Sequence, residues 1–461
     1  MIDLSRVFLK LPYPAKVIAA SFRGYYLQRW RYGVGFDQLV DRALAREKWS
    51  AAQWRTWREE RLAFVLHRAA TKVPYYRAYW ASQRRAGNVS SWERLENWPI
   101  LQKEEVRVAP LDFVADDCNP EKMFHEHTSG TSGKPLSLWW SRQTVQEWYA
   151  MLEARLRNWH GVSRRERWAI LGGQLVAPVR RSRPPYWVWN AGLNQLYLSA
   201  YHLGEQNVPY YLEAMKRHKV TYLLGYPSAM SYLARVAHDR QLEAPRLRFV
   251  LGNAEPLYET QRGVLAQVFD CPVYDSYGMA EIVAAGSECE AGSMHTWPEV
   301  GVVEILDEHV DEPVASGETG RIVATSLLNA DMPLIRYELG DRGALCASND
   351  CPCGRTLPQW QSIEGRMDDI IITPDGRHIG RLDPIFKAEL PIVEAQIIQE
   401  TAQRLRVVVV PAEDYSGESP STIKYLVQDR VGNMNVIVEE VDAISRASNG
   451  KFRAVVSNLE S

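Results

Sequence analysis

The chain has 461 residues, too many for one ordinary hydrophobic core, so two or more domains are expected. Its 54 Lys+Arg against 56 Asp+Glu give a net charge of −2, which offers no electrostatic case for nucleic-acid binding, and 46% hydrophobic with 24% charged residues is ordinary globular usage. No apolar run is long enough to span a membrane, and the N-terminus lacks the order of a signal peptide. Residues 1–36 carry six basic side chains (Arg6, Lys10, Lys16, Arg23, Arg29, Arg31) against Asp3 alone, interleaved with Phe22, Tyr25, Tyr26, Trp30 and Tyr32. They read as a helical arm on the large domain, or as a basic aromatic face for a membrane surface or partner. Residues 37–100 read as helices, with Pro74 stopping the apolar periodicity.

Next comes His127-Thr128-Ser129-Gly130-Thr131-Ser132-Gly133-Lys134-Pro135. Two glycines, four hydroxyls and a lysine suit a loop that presents N–H groups, hydroxyls and one ammonium to a polyanion. It is no Walker A loop, because Thr128 and Pro135 stand where that pattern needs glycine and Ser/Thr. Apolar Leu136 to Trp140 resumes at once as a strand, and Gln143 to Trp159 reads as a helix. Strand-like Trp168–Leu171 ends at Gly172, and Val220–Leu224 ends at Gly225-Tyr226-Pro227. Arg248–Leu251 runs into Gly252-Asn253-Ala254-Glu255-Pro256, and Val273–Ser276 into Tyr277-Gly278-Met279-Ala280-Glu281. Strands separated by helices predict parallel α/β layers. Arginines 164, 165, 167, 180, 181 and 183 read as a solvated cluster, with an anion or CoA-phosphate site as the alternative. Beyond about residue 367, strands over 405–410 and 436–441 flank a helix over 421–430, which is a small α+β unit.

The loop 127–135 resembles the phosphate-binding loop of the adenylate-forming superfamily, and the chain from about Pro14 onward is similar to its phenylacetate–CoA ligase family, nearest the CapK-like branch associated with polysaccharide biosynthesis. The resemblance implies a large N-terminal α/β adenylation domain over 1–367, its first 100 residues a helical arm, and a small mobile α+β domain over 368–461 hinged at Asp368 in Gly365-Arg366-Met367-Asp368. It implies that ATP or AMP is held by Ser129, Gly130, Thr131, Ser132, Gly133 and Lys134, by Asn253, Ala254, Glu255 and Pro256, by Tyr277, Gly278, Met279 and Ala280, and by Asp341 and Arg366. Asp341 matches the carboxylate that accepts both ribose hydroxyls, although Leu339 stands where the family has threonine. Glu281 is the implied Mg²⁺ ligand, Tyr226 with Gly225 and Pro227 the acyl pocket, and Lys451, with Thr131 and Glu281, the catalytic set.

Cys346, Cys351 and Cys353 fall within eight residues, with Cys289 and His295 upstream at Cys-x5-His spacing. Zinc wants four thiolate or imidazole ligands, and Cys289, His295, Cys351 and Cys353 supply them, with Cys346 as a substitute. The segment resembles family members that hold structural zinc. Six cysteines make no disulfide framework, so the expected compartment is the cytoplasm.

The implied activity is ATP- and Mg²⁺-dependent adenylation of a carboxylic acid with release of pyrophosphate, followed by acyl transfer to CoA. The alternatives are an amide- or ester-forming ligase that loads a polysaccharide precursor or carrier, and a non-catalytic nucleotide-binding descendant. Joint presence of Lys451, Asp341 and Glu281 argues against the last.

Overall fold

The computed structural model describes residues 4–127, 136–178, 180–348, 350–364, 371–379, 390, 392–412, 415–442, 444 and 455–459. The chain opens with helices α1 (Leu4–Lys10), α2 (Tyr13–Arg31), α3 (Phe36–Arg46), α4 (Ala51–Lys72) and α5 (Pro74–Arg85). Ser50 and Gln53 close a reciprocal capping box at the start of α4, which satisfies two otherwise orphaned N–H groups. Pro74 ends the α4 pattern and begins α5, where its missing N–H costs nothing. The short α6 (Lys103–Val108) follows, then an antiparallel hairpin of β1 (Phe124–His127) and β2 (Ser137–Trp140). Its last pair, His127 with Ser137, brackets the glycine-hydroxyl loop, whose residues 128–135 lie outside the described residues.

The helix expected over 143–159 is α7 (Arg142–Leu152) followed by a π turn over Glu153–Arg157 and a 3-10 turn over Asn158–His160. The reason is electrostatic. The π turn carries Glu153, Arg155 and Arg157, all buried, and each must meet a partner. Arg155 forks onto Glu299 at 2.9 and 2.8 Å, and Arg157 donates to the Tyr222 hydroxyl at 2.8 Å and to Glu153 at 3.3 Å.

The central sheet is built from β3 (Trp168–Gly172), β4 (Trp187–Asn190), β5 (Gln195–Ser199), β6 (Tyr222–Gly225), β7 (Val250–Gly252), β8 (Val273–Gly278), β9 (Ala285–Glu288) and β10 (Met294–Thr296), in the order β10-β9-β8-β7-β6-β3-β5-β4. Strands β5, β3, β6, β7 and β8 are parallel, and β4, β9 and β10 add antiparallel edges. Helices α8 (Val208–Arg217), α9 (Pro227–Asp239) and α10 (Glu259–Phe269) cover it, burying Leu212, Met230, Leu233 and Phe269 against Leu171, Leu223 and Val250. Four parallel strands end in glycine, at Gly172, Gly225, Gly252 and Gly278. At Gly225 the chain needs it, since a Cβ would lie 2.4 Å from the Leu171 carbonyl oxygen.

A second, antiparallel sheet orders β11 (Gly301–Leu306), β12 (Gly320–Ser326), β13 (Tyr337–Leu345) and β14 (Trp360–Glu364), and its core is shared with α3 to α7. After the two-stranded pair β15 (Ile371–Ile372) and β16 (His378–Ile379), the C-terminal unit contains β17 (Ile392–Thr401), β18 (Arg404–Pro411), α11 (Ser419–Val431), β19 (Asn435–Glu440) and β20 (Val455–Ser457), with sheet order β19-β18-β17-β20. The expected strands and helix of this unit stand within two residues of their predicted ends.

Candidate active site

Ends of parallel strands gather loops with free backbone groups on one side of the sheet, which is where α/β folds bind ligands. A cavity of about 680 Å³ lies there. Its walls are the carboxyl ends of β3, β7 and β8, Tyr226 beyond β6, Asp341 from β13 and the face of β14.

Of the sequence-named residues, Tyr226, Asn253, Ala254, Glu255, Pro256, Tyr277, Gly278, Met279, Ala280, Glu281 and Asp341 all line this cavity. Gly225 and Pro227 do not: Gly225 is packed against β3, and Pro227 occupies the first turn of α9. Ser129 to Lys134, Arg366, Asp368 and Lys451 lie outside the described residues.

Several contacts fix the polar groups. Glu281, 7% exposed, accepts from the Lys103 ammonium and from the Tyr337 hydroxyl, each at 3.0 Å on Oε1. Burial alone would raise its pKa, but Lys103 and Tyr337 outweigh that and hold it below the usual glutamate value. The next residue, Ile282, is fully buried with φ at +46°, a conformation costly for a β-branched side chain and a mark of local strain. Ala254 is also left-handed, with φ at +67°. The Tyr277 hydroxyl donates to Asp341 Oδ2 at 2.9 Å, which orients that carboxylate. The Ser228 amide donates to Glu255 at 3.0 Å, tying the Asn253–Pro256 loop to α9. Asp275, on β8 and lining the cavity, has its carboxyl pushed up to about 7, chiefly by burial.

The arrangement fits a nucleotide with its metal. Asn253 Oδ1 is a buried acceptor that has no donor among the described residues, suited to an exocyclic amine. Glu281 would be the carboxylate to hold Mg²⁺, a cation that prefers oxygen ligands and would compensate phosphate charge. Lys103, Tyr337, Asp275, Tyr197 and Trp360 also line the cavity and were not singled out from sequence. Asp275 and Tyr337 lie inside glycine-closed runs but off the motif positions, and Lys103 reads as an ordinary surface lysine of a short helix.

A separate cluster joins Cys289, His295, Cys351 and Cys353, whose ligand atoms all lie within 4.8 Å of one another. Cys289 Sγ is 3.6 Å from Cys351 Sγ, near the roughly 3.8 Å between sulfurs of a zinc tetrahedron. Cys353 Sγ is 3.4 Å from His295 Nε2. His295 Nδ1 faces the Leu357 carbonyl at 3.1 Å, so it holds the proton and leaves Nε2 for a metal. Cys346 is not one of the four.

Comparison with known proteins bears on the family and the fold. A family profile described as AMP-binding enzyme matches residues 55–330, and one described as CapK C-terminal domain matches residues 371–458. Protein CapK of Staphylococcus aureus is 24% identical over 78% of this chain and 80% of its own length. Phenylacetate-coenzyme A ligase of Thermus thermophilus is 27% identical over 71% and 73%. Among solved structures, 2-hydroxyisobutyryl-CoA ligase in complex with 2-HIB-AMP and CoA superposes with a TM-score of 0.57 at 22% identity, covering 89% of this chain and 91% of that one, a likeness of fold.

Proposed function

The chain belongs to the AMP-binding enzyme family, and we propose from this that it is an acid–thiol ligase: it joins a carboxylic acid to the α-phosphate of ATP and then passes the acyl group to CoA. The observation that carries this reading is one cavity at the strand ends walled by Tyr226, the Asn253–Pro256 loop, Tyr277, Glu281 and Asp341 together. In the first step a carboxylate oxygen bonds to the α-phosphorus and the bond to the β-phosphate oxygen breaks, releasing pyrophosphate. Asp341, oriented by Tyr277, accepts the ribose hydroxyls, and the Asn253–Pro256 loop borders the base. Tyr226 faces the acid. Lys451 and the loop 129–134 neutralise charge on the phosphates, where fixed donors and cations matter most. Bound at Glu281, Mg²⁺ supplies further charge compensation to the phosphates. In the second step a thiolate attacks the acyl carbon and AMP leaves, after the C-terminal unit turns about Asp368.

CoA as acceptor is supported by the phenylacetate–CoA ligases among the relatives. The match to the CapK C-terminal domain favours a second reading, in which an amine or hydroxyl of a polysaccharide precursor takes the thiol's place. Cys289, His295, Cys351 and Cys353 would hold a structural zinc ion, and such thiolates would suit a reducing cytoplasm.

The test is pyrophosphate release across a panel of carboxylic acids, with and without CoA. Acid-dependent release with thioester formation is expected. Replacing Asp341 with alanine removes roughly 1.5–3 kcal/mol per charge-assisted bond, so ATP affinity should fall at least tenfold. Unchanged ATP affinity in that variant would remove Asp341 from the site. Turnover only with an amine or sugar acceptor selects the second reading.

A further inference from the structure

Helix α2 is 19 residues long and is docked along one side only. Its inner face is held too closely to roll: a Cβ at Gly24 would lie 1.8 Å from Asn190 Oδ1, and one at Gly192 would lie 2.3 Å from the Tyr25 amide nitrogen. Ser21 accepts from the Ala191 amide at 3.0 Å, and buried Lys16 donates to the Val176 carbonyl at 2.9 Å. The outer face is therefore fixed outward. It presents Ile18, Phe22 and Tyr25, 57%, 72% and 51% exposed, at a spacing of four and three residues, with Arg29 four further on the same line. Tyr26 stands beside them, and Val34 projects fully from the loop beyond the helix. No acid occurs in α2.

At the C-terminal end of this stripe opens a second cavity of about 300 Å³, away from the strand-end site. Four arginines line it, Arg29, Arg31, Arg164 and Arg165, and no acidic residue is among its lining. Nearby acids act on one wall only: Arg164 pairs with Asp37 at 2.8 Å and Glu153 at 3.4 Å, and Arg165 lies 3.9 Å from Asp37. Arg31 stacks over Tyr149.

We propose that this surface seats the protein on an anionic lipid bilayer, with the Ile18–Phe22–Tyr25 stripe in the headgroup–acyl boundary and a phosphodiester headgroup in the arginine cavity. The two features belong together because Arg29 serves both. A soluble polyanion would match the arginines and leave the aromatic stripe in water. An apolar protein partner would match the stripe and leave the arginines unused. A bilayer boundary offers both chemistries at the required depths. No helix among the described residues is long and apolar enough to cross a membrane.

The experiment is vesicle flotation of the full chain with phosphatidylcholine vesicles, alone or mixed with phosphatidylglycerol. Binding to the mixed vesicles at least tenfold above neutral ones is expected, falling as salt rises. Phe22→Ser with Tyr25→Ser, and separately Arg29→Glu, should each weaken it about tenfold while the melting temperature stays put, because these side chains are exposed. Three results would overturn the proposal: equal or absent binding to both vesicle types, inorganic phosphate binding without vesicle binding, or a dimer in solution that Phe22→Ser disrupts.

Discussion

Glu281 is held in tension, a carboxylate taken out of water and kept ionised by one ammonium and one hydroxyl. Its two neighbours define which substitution is informative. Glu281→Gln keeps an oxygen for Lys103 and Tyr337 and removes only the charge, so the fold should persist. Adenylation should fall roughly a hundredfold, the scale of losing one preorganised electrostatic partner, and the Mg²⁺ concentration for half-maximal rate should rise. Lys103→Met acts on the same pair from the other side and leaves a buried carboxylate without its cation. That variant should lose stability, by roughly 1–3 kcal/mol given that Lys103 is partly exposed. A Glu281→Gln enzyme with wild-type rate and metal dependence would show that Glu281 serves packing alone.

The hairpin of β9 and β10 and the turn over residues 351–354 are short elements that cannot hold one another by burial alone. Cys289 and His295 stand on the first and Cys351 and Cys353 on the second, so a zinc ion there would staple two segments about sixty residues apart. Protein purified without added metal should contain one zinc per chain. Cys351→Ser should lose it and unfold at a lower temperature, whereas Cys346→Ser should keep both, and metal-free wild-type protein as stable as purified would sink the idea. This ligand set was legible in the sequence because thiols in a polar turn are poorly explained by packing. The strand-end loops were legible too, since four of the five parallel strands close on glycine. What escaped has a common cause. Strands β4 and β5 lie next to an arginine-rich stretch that masks their pattern, and the π turn after α7 depends on partners, Glu47, Glu299 and Tyr222, remote in sequence. The Lys103–Glu281–Tyr337 contact likewise joins three segments that nothing local connects.

At the scale of the whole molecule, the C-terminal unit meets the large one along a seam with a titratable group beside it. Arg377 donates to the Tyr201 carbonyl at 2.5 Å and to the Val431 carbonyl at 2.8 Å, bridging the two, while Tyr201 and Leu175 pack into the C-terminal core. The adjoining residue, His202, is 3% exposed. Its Nε2 donates to the Pro178 carbonyl and its Nδ1 accepts from Ser199, each at 3.0 Å, so the neutral ring is already satisfied. Burial pulls its pKa down to about 4, and Arg377, Arg181 and Lys16 push the same way against the Pro178 carbonyl. An unfolded chain binds that proton near pH 6.5, and the folded one refuses it until about pH 4. Between these values the unfolded state holds more protons, so acid must cost stability, by up to about 1.4 kcal/mol per pH unit from this group. His160, also lowered to about 4 by burial, adds to the loss with the same sign. His202→Gln retains a donor and an acceptor but cannot titrate. Urea midpoints measured near neutrality and at about pH 5 should therefore differ less in the variant than in wild type, by roughly 2 kcal/mol in the derived free energies. An identical pH slope in the two proteins would mean that His202 takes up its proton in the folded state, and the satisfied neutral ring beside Arg377 would then be the wrong description of the seam.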